Sequence, residues 1–245
     1  MKLRTPLMLT GVMALASGCF ATKMTQTAEP LGDGNGEIGL SWNSSQLTDI
    51  GEGTSPGLLP SLLPNVHLGL GMADNVDMFV NVSVASWYTD VGAKYVPIRT
   101  ETGSFALAPY VGLSPWGALA STRVGLPVMY TRKLSPKLSF TVMGEALYRK
   151  RGDVSSGSWE WVDDLVNSFS GDTVGLGGGL GLEFRGRALS VRPSLSYTYY
   201  TAQFNGSGDP LKIGVGQFGL TFARANGRVE AQLDRIEDKI DALAE

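Results

Sequence analysis

The stretch TVGLGGGLGLEF, residues 173–184, decides the class of this protein because five of its twelve residues are glycine. Glycines that hold a phosphate follow G-x-G-x-x-G or G-x-x-x-x-G-K-[ST], and neither spacing fits, since Leu180 stands where the third glycine should be. The alternative is a β-strand whose apolar side chains recur at every second residue. These are Val174, Leu176, Leu180, Leu182 and Phe184, and the opposite face holds Gly175, Gly177, Gly179, Gly181 and Glu183. The pattern predicts a strand with one apolar and one nearly bare face.

The same two-residue alternation recurs from residue 36 to residue 224. It is clearest in VDMFVNVSVAS, residues 76–86, where four valines and a methionine alternate with Asp77, Phe79, Asn81, Ser83 and Ala85. We count about ten such segments, and no helical pattern separates them. The sequence therefore predicts an all-β fold of about ten antiparallel strands.

The second face of these strands distinguishes a membrane barrel from a soluble one. A soluble barrel would carry many Lys and Glu residues there, whereas this face is small or weakly polar with isolated charges. A membrane barrel has such a face in its narrow lumen, while its apolar face meets lipid. We therefore expect a transmembrane barrel whose lumen charges neutralise each other. The predicted lumen-facing polar residues are His67, Asp77, Asn81, Lys94, Arg123, Glu145, Glu183 and Arg192.

The connections between the predicted strands alternate in length. Outer-membrane barrels have short periplasmic turns and long outer loops, so this alternation orients the chain and predicts that both termini are periplasmic. The short turns are predicted at residues 73–75, 99–104, 133–137 and 185–187, and the long connections at residues 44–63, 114–121, 149–171 and 202–210.

The N-terminus has the features of a secretory signal peptide, predicted over residues 1–18. Lys2 and Arg4 precede an apolar run that is too short to span a bilayer. The single cysteine follows in LASGC and resembles the lipobox of bacterial lipoproteins. The resemblance implies that Cys19 is diacylated and that residues 19–35 form a lipid-anchored tether. Phe20 follows where inner-membrane retention signals have Asp, which implies the outer membrane as the destination.

Residues 36–224 resemble the bacterial outer-membrane β-barrel superfamily in its small monomeric branch. The last predicted strand ends in Phe222, which is similar to the terminal aromatic residue of that superfamily. The resemblance implies an up-and-down barrel in contact with outer-membrane lipid.

Residues 225–245 carry a different pattern, which predicts a short periplasmic α-helix. Apolar residues recur at alternating spacings of four and three after a possible N-cap at Asn226. They are Val229, Leu233, Ile236, Ile240 and Leu243. The helix either packs on the periplasmic mouth of the barrel or forms a small coiled coil with another copy or an envelope partner.

Few residues offer catalytic chemistry. His67 is the single histidine, and the predicted turn places it opposite Asn81, where a buried, hydrogen-bonded histidine is the simpler interpretation. The sequence has no zinc motif and no cofactor motif, and its net charge of -3 gives no reason to expect nucleic-acid binding.

We therefore expect no catalytic residue and a structural, binding or small-solute passage role in the envelope. Two alternatives remain open at this point. One is a barrel enzyme that modifies membrane lipids. The other is a soluble periplasmic lipoprotein resembling lipocalins, in which the Val76–Val84 face would line a cavity for an apolar ligand.

Overall fold

The computed structural model describes residues 26–48, 59–60, 64–83, 88–114, 121–151, 172–186, 189–202 and 211–225. The predicted signal peptide, Cys19 and all five apolar positions of the predicted C-terminal helix lie outside these residues. Within the described ranges, no helix is long and apolar enough to cross a membrane.

The described chain forms an antiparallel sheet that closes on itself, because the last strand pairs with the first along Glu37↔Ala225 to Thr48↔Gly214. The strands are β1 (Gly36–Thr48), β2 (Leu59–Pro60), β3 (Asn65–Ala73), β4 (Val76–Ser83), β5 (Tyr88–Arg99), β6 (Gly103–Leu107), β7 (Tyr110–Ser114), β8 (Ser121–Ser135), β9 (Leu138–Arg151), β10 (Asp172–Arg185), β11 (Ser190–Ala202) and β12 (Leu211–Ala225). Strands β6 and β7 both pair with β5 and β8 and share one position in the wall. Because β2 pairs only with β1, the wall has ten positions, and the predicted antiparallel barrel of about ten strands is confirmed.

Prolines lie where the ladder of hydrogen bonds is interrupted. Pro109 stands in the break between β6 and β7, and Pro127 of β8 faces that break and accepts a bond of 2.9 Å from the amide of Ala108. Pro193 lies where the pairing of β10 with β11 lapses, between Gly181↔Ser194 and Phe184↔Val191. Since proline has no amide hydrogen to donate, these breaks let a closed sheet contain it.

The outward face of the wall is a band of large apolar side chains. Leu176 is 66% exposed and Met78 is 45% exposed, whereas the neighbouring Asp77 and Phe79 are buried inside the barrel. The face of β4 that a lipocalin-like protein would turn into its cavity therefore lies on the outside. This placement argues directly against the soluble alternative.

The two ends of the barrel differ as the sequence predicted. Strands β3 and β4, β5 and β6, β8 and β9, and β10 and β11 are joined by at most four residues, at what we call the short-turn end. The opposite, long-loop end carries the other connections between neighbouring wall strands, which are longer except for the four-residue link between β4 and β5. Most of their residues lie outside the described ranges. Strand β1 begins and β12 ends at the short-turn end.

Candidate functional site in the barrel lumen

The lumen is filled by side chains in three layers along the barrel axis. An apolar layer around Phe79, Ala106, Met129 and Met143 occupies the middle. A short-turn layer of ion pairs lies below it, and a long-loop layer around Arg123 lies above it. The lumen therefore has no continuous open bore through the described residues.

The structure places the eight predicted lumen residues as follows. Seven of them are buried, and Asn81 is partly buried. Four of them, Asp77, Lys94, Glu183 and Arg192, belong to the short-turn layer. His67 and Asn81 face each other on β3 and β4, two residues further from the short turn than Gly69 and Phe79. Arg123 lies in the long-loop layer, and Glu145 accepts a hydrogen bond of 2.6 Å from the Tyr110 hydroxyl.

Arg192 is the centre of the short-turn layer. Its Nε donates to Glu183 Oε1 at 3.0 Å, and its Nη1 and Nη2 donate to the two carboxylate oxygens of Glu37 at 2.9 and 2.6 Å. Both residues were predicted to face the lumen, and the hairpin of β10 and β11 brings Glu183 to Arg192. Glu37 was missed, although the outward alternation of Ile38 and Leu40 already places Glu37 on the lumen face.

His67 is held between two neighbours and is 2% exposed. Its Nδ1 lies 2.6 Å from Asn81 Oδ1, and its Nε2 lies 3.5 Å from Glu37 Oε1. The Glu37 carboxylate is already bound by Arg192, so it does not orient the imidazole towards a substrate. An enzyme that acts on lipids needs its acid and histidine at the rim or on the lipid face, and this pair lies inside the wall.

In the part of the chain that the structure describes, no three His, Cys, Asp or Glu side chains converge in a way that could hold a metal ion.

The end of the predicted tether lies inside the barrel. Residues 27–31, which we call the inner segment, occupy the short-turn mouth of the lumen. The Ala28 amide donates to Thr131 Oγ1 at 2.8 Å, and the Leu31 amide donates to both carboxylate oxygens of Asp77 at 3.1 Å. Lys94 Nζ donates to the Glu29 carbonyl at 2.7 Å. Wall side chains thus satisfy the backbone groups of a segment whose sequence is polar and without periodicity.

The inner segment leaves the lumen through a tight turn into β1. Gly32 and Gly34 have φ values of +85° and +71°, a region that glycine adopts without steric cost. The Gly34 amide donates to the Gly71 carbonyl at 3.0 Å, and the Gly71 amide donates to the Asn35 carbonyl at 2.7 Å. A side chain at Gly71 would overlap the Gly32 carbonyl, so this close approach of two backbones requires a glycine there.

The long-loop layer pairs Arg123 with Asp90. Arg123 Nε donates to Asp90 Oδ1 at 2.8 Å, and Nη2 contacts the second carboxylate oxygen. The Arg123 guanidinium lies 4.2 Å from the centroid of the Tyr88 ring, and that of Arg149 lies 5.7 Å from it. Both Arg149 and Tyr88 contact the Ser121 hydroxyl. Asp90, Tyr88 and Arg149 were not among the predicted residues, although each alternates with an outward neighbour.

Four of the five glycines of β10 lie on the lumen side of the wall, and Gly178 lies on the outward face between Leu176 and Leu180. Gly175 and Gly179 are buried there, and Gly175 pairs with Tyr200 of β11 and Leu147 of β9, both buried. A Cβ atom at Gly175 would lie 2.8 Å from the Tyr200 ring. Because the lumen face of β10 has almost no side chains, the larger side chains of β9 and β11 have room beside it.

Replacing Gly175 with Ala is therefore expected to destabilise the barrel by about 1–3 kcal/mol, because the Tyr200 ring must move in a packed lumen. Gly144→Ala is the matched control, since a Cβ there meets nothing within 4 Å. The measurement is urea unfolding of the refolded barrel followed by tryptophan fluorescence. Equal midpoints for the two variants would contradict the packing role of Gly175.

The closed ten-position wall, apolar outside and polar inside, defines the class of the fold as an antiparallel β-barrel of the outer-membrane type. Among solved structures, the chain is similar to the COG4313 outer membrane channel from Pseudomonas putida F1, with 14% identity and a TM-score of 0.53 over 81% of this chain and 98% of that one.

Two further similar structures are Ail of Yersinia pestis and OprG of Pseudomonas aeruginosa. Ail has 10% identity and a TM-score of 0.33 over 79% of this chain and 99% of its own. OprG has 12% identity and a TM-score of 0.31 over 82% of this chain and 99% of its own. No family model and no curated protein matches the sequence.

Proposed function

We propose that the protein is an integral β-barrel of the bacterial outer membrane that has no catalytic activity and admits small solutes through a lumen that is closed at rest. The observation that carries the proposal is the apolar band on the outer surface. A soluble protein rarely exposes a continuous apolar surface that encircles it, whereas lipid is the natural solvent for such a band.

The way in which the short-turn mouth is closed supports passage rather than a purely structural role; passage also requires the side chains of the apolar middle layer to move aside. Its short-turn mouth is closed by residues 27–31, which no strand pairing holds in place. They are bound by side chains, and such contacts can break without unfolding the wall. The COG4313 protein, which has the same fold, is described as an outer membrane channel.

We further propose that the short-turn end faces the periplasm and that Cys19 carries a lipid there. Six residues separate Cys19 from Gln26, at the entrance to the lumen. Fully extended, they span about 20 Å, which is enough to join the mouth of the barrel to the adjacent membrane leaflet. The predicted helix would follow β12 at the same end, on the periplasmic mouth or against an envelope partner.

One gel tests both the proposed membrane barrel and the proposed lipid on Cys19. Cells are labelled with radioactive palmitate, the outer-membrane fraction is isolated, and boiled and unboiled samples are compared by electrophoresis. We expect wild type to be labelled and to migrate differently after boiling, because a membrane barrel stays folded in detergent until it is heated. Cys19→Ala should lose the label and keep the heat-dependent shift.

The two readouts fail independently. A label that persists in Cys19→Ala would refute lipidation at this residue and leave the barrel proposal intact. Wild-type protein that migrates identically before and after boiling would refute the membrane barrel itself.

A further inference from the structure

The Glu29 carboxylate of the inner segment lies in a site built by two cations of the wall. Its Oε2 accepts a hydrogen bond of 2.5 Å from Arg185 Nη2, and its Oε1 lies 3.6 Å from Lys133 Nζ. The Glu29 side chain is 10% exposed, so most of its contacts are with protein. A guanidinium and an ammonium around one carboxylate form the arrangement by which proteins bind free carboxylates.

The wall positions Arg185 independently of Glu29. Arg185 Nε donates to Glu183 Oε2 at 2.8 Å, and its Nη2 donates to Ser139 Oγ at 3.1 Å. Glu183 and Ser139 belong to β10 and β9, so they stay in place if the inner segment withdraws. The site is therefore preformed, and Glu29 is its occupant rather than its support.

The charges of the short-turn layer balance only when Glu29 is present. The ion pairs of this layer join four cationic side chains to four carboxylates, with His67 taken as neutral. They are Lys94, Lys133, Arg185 and Arg192 on one side and Asp77, Glu37, Glu183 and Glu29 on the other. Withdrawal of the inner segment leaves an excess of one positive charge in a narrow mouth, where the field acts on any entering ion.

We propose that Arg185 and Lys133 form a binding site for a small carboxylate solute, which Glu29 occupies when the lumen is closed. The inner segment then competes with the solute for this site. It leaves the lumen by rotating about the turn at Gly32 and Gly34. This inference rests on the proposed passage function and adds to it the chemical class of the solute.

Single-channel conductance in planar lipid bilayers tests the competition. The measurement compares the wild-type protein with the Glu29→Gln variant. The variant keeps the size of the side chain and removes its charge. A hydrogen bond between buried charged groups is strong enough that we expect an open probability about tenfold higher than that of wild type. Asp33→Asn is the matched control, because it removes the same charge from the same stretch at an exposed side chain that makes no ion pair with the described residues. It should behave as wild type.

Acetate tests the site itself. We expect sodium acetate to raise the unfolding temperature of Glu29→Gln above the value in equal sodium chloride and to leave wild type unchanged, because the uncharged amide competes with acetate for the two cations far less well than the Glu29 carboxylate does. Adding Arg185→Gln should abolish the acetate effect, while Glu183 keeps its bond to Arg192 in that double variant. Equal effects of acetate on wild type and Glu29→Gln would overturn the proposal.

A chain without residues 27–31 separates this proposal from the one on which it rests. If the deletion conducts but Glu29→Gln neither opens nor responds to acetate, the carboxylate site is wrong and passage stands. If the deletion itself does not conduct, the proposed passage function is wrong.

Discussion

Arg192→Met is expected to destabilise the barrel by about 3–5 kcal/mol, the largest effect that we expect from any single substitution in the lumen. Arg192 donates to Glu183 and to both carboxylate oxygens of Glu37. Without it, the Glu37 carboxylate stays buried without its arginine partner, while Glu183 keeps its bonds to Arg185 and Ser139. Water does not replace the lost bonds in a filled lumen. The measurement is urea unfolding in lipid vesicles, followed by tryptophan fluorescence and by the heat-dependent gel shift.

The cause can be separated from mere loss of volume by neutralising the partners. Adding Glu37→Gln and Glu183→Gln to Arg192→Met should restore most of the lost stability, because uncharged amides tolerate burial with the hydrogen bonds that remain. Arg132→Met, at an exposed arginine near the same end, is the matched control and should change stability by about 0.5 kcal/mol or less. If the triple variant were no more stable than Arg192→Met, buried charge would not be the cause.

The alternation of side chains was enough to predict the wall. In β10, a two-residue period put Leu176 and Leu180 outside and Gly175 and Gly179 inside, because successive side chains of a strand point to opposite faces. The short turns were predicted because an antiparallel hairpin needs few residues, and the ten positions followed from the count of periodic segments. These features depend on residues that are close together in the chain, so they can be predicted from a single sequence.

The partners in the lumen could be predicted only where a short turn fixes the register. The hairpins brought His67 to Asn81 and Glu183 to Arg192, and both pairs are present. The contact of Arg192 with Glu37 depends instead on closure of the barrel, which joins residues 155 positions apart.

The inner segment was missed for a related reason. Its polar sequence has no periodicity, and it is ordered by groups that the wall supplies, such as the Asp77 carboxylate and Thr131 Oγ1. A segment that is ordered by contacts with distant residues shows no pattern in its own sequence. For this reason residues 26–35 were predicted to be the end of the tether.

Leu180→Arg is expected to destabilise the protein by about 2–4 kcal/mol in lipid bilayers, because it places a charge near the middle of the lipid-facing wall. Leu180 lies towards the middle of β10 and is 49% exposed, and Phe184 lies beside the short turn of the same strand on the same face and is 48% exposed. Phe184→Arg should therefore cost only about 0–1 kcal/mol, since its guanidinium reaches the interface. Urea unfolding in vesicles measures both.

The comparison is decisive because the two side chains are almost equally exposed but are expected to lie at different depths in the lipid bilayer. In water, two equally exposed apolar residues on one strand would tolerate arginine equally, so a soluble barrel predicts no difference between the variants. The two variants differ in stability only if the polarity of the surroundings changes along the barrel axis, as it does in a lipid bilayer. Equal stabilities of Leu180→Arg and Phe184→Arg in vesicles would therefore contradict lipid as the solvent of the outer face, and with it the outer-membrane function proposed for this chain.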